Sequence, residues 1–62
     1  MTPWKKIRTF KQLAANAKMV GVNIEHSSRS YESWKDSGSI SVSYDLKNAI
    51  EDVRDLAGLL GE

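Results

Sequence analysis

The chain has 62 residues, no cysteine and a formal net charge of +1. A chain this short hides about 60% of its unfolded surface on folding, which leaves burial gain and ordering cost nearly equal. Those bounds exclude a multidomain machine or a large internal cavity, disfavour an elaborate cofactor site, and make contact with another chain a natural source of extra stability.

Hydrophobic residues make up 40% and charged residues 27%, so the composition is that of a folded domain and not of a disordered segment. The charges are uneven. Residues 1–20 hold Lys5, Lys6, Arg8, Lys11 and Lys18 with no acid, whereas from 45 onward Asp45, Glu51, Asp52, Asp55 and Glu62 outnumber Lys47 and Arg54. No apolar run follows the basic start, so no signal peptide is expected, and no stretch is long enough to span a membrane. Without cysteine or an Asn-x-Ser/Thr acceptor, the expected location is cytoplasmic.

In chain order, Thr9 with Gln12 three residues on is a capping box. It predicts a helix over 10–19 whose apolar face is Phe10, Leu13, Ala14 and Ala17, ended by Gly21. Thr2-Pro3 is a second start signal that would carry this helix back to residue 3 and add Ile7 to its face. Val22-Asn23-Ile24-Glu25-His26 then alternates with period two, as a strand does.

All eight serines lie between Ser27 and Ser43. In Ser39-Ile40-Ser41-Val42-Ser43-Tyr44 they alternate with apolar residues, which predicts a strand that buries Ile40, Val42 and Tyr44, and Asp36-Ser37-Gly38 before it is turn chemistry. The stretch 28–34 reads as a third, connecting strand or as a loop or short helix, giving a sheet of two or three strands; a lone two-stranded ribbon is marginal, so the three-stranded meander is preferred. A helix-turn-helix running through 27–34 is the weaker alternative, because that stretch is rich in serine and poor in helix formers.

The C-terminal segment carries the clearest pattern. After Asp45 as N-cap, Leu46, Ala49, Ile50, Val53, Leu56, Ala57 and Leu60 fall within an arc of about 120° on a helical wheel, which predicts a helix over 46–60 stopped by Gly61. Leu59 projects among the polar residues. The expected fold is therefore one small α+β domain over 1–62, in the order α-β-β-β-α, with both helices on one face of an antiparallel sheet.

The inventory argues against catalysis. A single histidine, His26, and no cysteine leave no Cys-His pair and no ordinary zinc site, and His26 in a strand register reads as a half-buried, hydrogen-bonded side chain. Glu51, Asp52 and Asp55 read as the solvated side of a helix, with Lys47 and Arg54 easing their repulsion. Glycines at 21, 38, 58 and 61 are too scattered for a phosphate loop. No catalytic residue, metal, cofactor or small-molecule substrate is expected, and no membrane partner.

What remains is binding. Trp4, Tyr31, Trp34 and Leu59 are large side chains that two helices and three strands cannot all cover, and Trp and Tyr are the residue types most enriched as interface anchors. They predict a non-enzymatic protein that acts by contact with another protein, including a second copy of itself as a homodimer. Small chains of this kind commonly serve as regulators or inhibitors, including those of phages and other mobile elements, an inference by association only. In that reading the cations Lys5, Lys6, Arg8, Lys11 and Lys18 steer an acidic partner; the alternative is nucleic-acid binding through the same residues beside Trp4, although on a helical wheel they spread around the circumference and form no narrow stripe.

Overall fold

The computed structural model describes residues 1–61. Its elements run in the order expected: a short 3-10 turn at Trp4–Lys6, helix α1 at Phe10–Met19, strands β1 at Asn23–His26, β2 at Tyr31–Trp34 and β3 at Ile40–Ser43, and helix α2 at Leu46–Leu56. The strands form an antiparallel meander in the order β1-β2-β3. One face of this sheet is covered, α1 lying over β1 and α2 over β2 and β3.

Both start signals near the N-terminus are used, separately. Thr9 caps α1: its hydroxyl accepts from the Gln12 amide at 3.2 Å, and the Gln12 side chain accepts in return from the amides of Thr9 and Arg8. Pro3 opens the 3-10 turn, and an extended Ile7 separates the two, so α1 does not reach back to residue 3. Asn16, buried on α1, secures this leading segment. Its Nδ2 donates to the Thr2 carbonyl at 2.7 Å and its Oδ1 accepts from the Thr2 amide at 3.1 Å.

Two glycines at positive φ end the helices by the same device. Gly21 (φ 77°) follows α1; its amide donates to the Lys18 carbonyl, and that of Val22 to Ala17, which is a Schellman closure. Gly58 (φ 76°) repeats it on α2, with Gly58 bonded to Asp55 and Leu59 to Arg54. The helix predicted over 46–60 thus stops several residues early, at Gly58 and not Gly61.

The core holds Ile7, Leu13, Ala17, Val22, Ala49 and Val53, with Leu46, Ile50, Leu56 and Ala57 half-buried against it. The largest correction concerns β3. Ile40, Val42 and Tyr44, expected inside, are 63%, 50% and 76% exposed, while Ser33 and Ser43 lie buried under the helices. Pairing explains the inversion. A charged Glu32 on the central strand has to face water, which turns Tyr31 and Ser33 inward. The loop over 35–39, closed by bonds from Lys35 to Ser39 and from Gly38 to Lys35, places Ile40 opposite Trp34 and Val42 opposite Glu32. Because neighbouring residues on paired strands share a face, Ile40 and Val42 go outward with Trp34 and Glu32.

A candidate protein-binding surface

That register builds an open sheet face. Cross-strand pairing sets Asn23, Trp34 and Ile40 in one row and Glu25, Glu32 and Val42 in the next, with Tyr44 just beyond the end of β3. The β3 side of the face is apolar, and Glu25 on β1 stands directly opposite Glu32 on the central strand, a pairing of like charges with Lys35 lining the same hollow. Lys35 lies beside Trp34 and Ile40 at the turn.

The four anchors expected from the sequence do not converge. Trp34 belongs to the open face. Tyr31 points the other way, toward the helices, where its ring stacks on His26 with centroids 4.0 Å apart and lies 6.1 Å from Phe10. Trp4 packs against the core from the N-terminal turn with the Arg54 guanidinium 6.0 Å from its ring centroid. Leu59, expected to project into solvent, is half-buried in the Schellman closure of α2, its carbonyl accepting from Arg54; Leu60, expected on the packed face, is 51% exposed. Once the helix stops at Gly58, the wheel no longer governs either leucine.

The cations divide as well. Lys5 and Arg8 border a groove of about 540 Å³ between the N-terminal turn and α2. Its apolar wall is Trp4, Ile7, Leu46 and Ile50, and α2 adds Lys47, Glu51 and Arg54. Arg8 is tethered there, one guanidinium nitrogen donating to the backbone carbonyls of Lys5 and Ile7. Lys6 and Lys11 are exposed elsewhere, and Lys18 lies at the far end of α1, in a depression shared with Asn23 and Asp36.

His26 corrects a further expectation. It is exposed, and its ring is held by stacking on Tyr31 and by Phe10, with ring centroids 5.2 Å apart in the latter pair, and not by a hydrogen bond among the described residues. Among the described residues no group of three acids and histidines is arranged to hold a metal ion, and no helix is long and apolar enough to cross a membrane.

Asp52, on the inner side of α2, has its carboxyl raised above the ordinary aspartate range. Burial is the main cause, with Asp55 and Glu51 adding repulsion; the nearby Ser43 hydroxyl pulls the other way. That pull is incomplete, since neither Ser43 Oγ nor Asp52 Oδ2, both buried, completes a hydrogen bond of good geometry.

Sequence reasoning missed Ile40, Val42 and Tyr44 as surface residues, and Lys47 and Arg54 as neighbours of the N-terminal cations. One signal for the first was present: Glu32 fixes which way β2 faces. The second depends on how the N-terminal turn packs on α2, which no local pattern carries. No protein family, curated protein or solved structure matches this chain.

Proposed function

We propose that this protein is a non-enzymatic binding module that docks on another protein through the open face of its sheet. The carrying observation is the outward apolar patch of Trp34, Ile40, Val42 and Tyr44, opposite an inner face to which β3 contributes only Ser41 and Ser43. A small domain gains from hiding such a patch against a partner, and the opposed Glu25 and Glu32 favour a partner that brings a lysine or arginine to the edge of the contact. Action as a regulator or inhibitor, and self-association as a homodimer, fall within the same proposal, the latter being the case in which the partner is a second copy.

Site-specific photo-crosslinking in the host cell tests this reading. A photoreactive side chain at position 42 is expected to give a discrete protein adduct, one at the exposed Ala15 on α1 none, and Ile40→Thr should abolish the position-42 adduct. An adduct of twice the chain's mass would identify the partner as a second copy. Equal labelling from both positions, or crosslinks to nucleic acid in place of protein, would overturn the proposal.

A further inference from the structure

The groove between the N-terminal turn and α2 lies on the helical side of the molecule, away from the open sheet face, and its chemistry differs. Three cations, Lys5, Arg8 and Lys47, border it against one acid among the described residues, Glu51, while Arg54 is already engaged with the Trp4 ring and the Leu59 carbonyl. Beneath them the wall is apolar, with Ile7 only 3% exposed and Leu46 and Ile50 half-buried. We propose that this groove is a second docking site, and that its occupant is an acidic amphipathic helix of a partner protein, with apolar side chains against Trp4, Leu46 and Ile50 and carboxylates on Lys5, Arg8 and Lys47.

Charge complementarity selects the acidic partner, since carboxylates approaching this rim meet an excess of positive charge. Preorganisation adds to it. Arg8 is already held by the carbonyls of Lys5 and Ile7, so a carboxylate meets a guanidinium that has lost much of its freedom, and the ordering cost of binding falls. An apolar wall with a charged rim is how amphipathic helices are taken up by grooves.

A nucleic acid fits less well. Single strands need open aromatic faces on which bases stack, yet Trp4 has the Arg54 guanidinium over its ring, and Leu46 and Ile50 are aliphatic. Lys6, Lys11 and Lys18, which would extend a phosphate track, are not among the groove's lining residues.

The test uses the full chain carrying Trp34→Phe, so that Trp4 is the sole tryptophan reporter. Three probes are titrated: a synthetic helix with leucines on one face and glutamates on the other, the same peptide with lysine for glutamate, and a single-stranded oligonucleotide. The acidic peptide should produce a saturable change in Trp4 emission that weakens with added salt, and Lys5→Glu/Lys47→Glu should lower its affinity about tenfold or more. Ile40→Thr should leave that affinity unchanged, which separates this site from the sheet face. The proposal is overturned if the acidic peptide does not bind, if the lysine peptide binds equally well, if the oligonucleotide binds more tightly, if the charge reversal has no effect, or if Ile40→Thr abolishes the signal.

Discussion

Asp52 shows how a single carboxyl can oppose the usual effect of pH on a small domain. Most structural carboxylates are better stabilised as anions in the folded state, and acid then unfolds the protein. At Asp52 burial raises the folded-state pKa, so the folded chain holds this proton more tightly than the unfolded chain does. The sign follows directly: below the unfolded value the group is protonated in both states and costs nothing, and as pH rises through that value and then the folded one a destabilising contribution builds up. Asp52→Asn removes the ionisation and is expected to raise the denaturant midpoint at neutral pH. Its advantage over the native chain should vanish in acid below the ordinary aspartate range. A deficit at neutral pH would mean that the ionised carboxylate stabilises the fold. On the helical wheel Asp52 borders the apolar arc beside Leu56 while Glu51 and Asp55 lie opposite, but only the packing of that flank of α2 against Ser43, nine residues earlier, decides that its carboxyl loses water.

At the scale of elements, start signals were more legible than stop signals. Thr9 and Asp45 both cap as their neighbours predict, since a cap is a local exchange between a side chain and the next few amides. The end of α2 was misplaced because the apolar spacing runs on to Leu60 through Gly58, and a lone glycine inside a helical pattern carries two meanings. Here the meaning is a C′ residue in the left-handed region. Nothing lies within 4 Å of a Cβ built at Gly58, so Gly58→Ala meets no steric neighbour and its cost is conformational. We expect a loss of about 1 kcal/mol in unfolding free energy, measured by chemical denaturation. If α2 instead propagates toward Gly61 in this variant, amide exchange protection will spread to residues 58–60, and that outcome would show that this glycine alone enforces the early stop.

The facing of β3 belongs to the whole molecule. Its alternation was plain in the sequence, and burial of its apolar side was the natural expectation because two-layer domains hide apolar faces. The long-range pairing reverses it: Glu32 turns β2, the loop over 35–39 sets the register, and small serines under the helices allow α2 to settle on β2 and β3. Ile40→Thr/Val42→Thr keeps two β-branched residues at exposed positions and should change unfolding free energy by no more than about 0.5 kcal/mol. Were these side chains in the core, truncating their packing would cost about 2–5 kcal/mol. Equilibrium denaturation of the double variant therefore distinguishes the observed register from its alternative.

The sequence by itself determined the two helices and their caps, the strand periodicity of β1 and β3 and the basic-to-acidic drift along the chain, and it favoured a third strand in 28–34 without fixing it. These are legible because periodicity, capping and glycine placement act over a few neighbouring residues. Only the tertiary structure decided which side of β3 meets water, that Trp34 and Tyr31 stand on opposite faces, that Leu59 is tucked in and Leu60 is not, and that Lys5 and Arg8 share a groove with Lys47 and Arg54. Each of those depends on a register or a packing contact between segments distant in sequence. A one-residue difference in pairing exchanges inside for outside while leaving every local pattern unchanged.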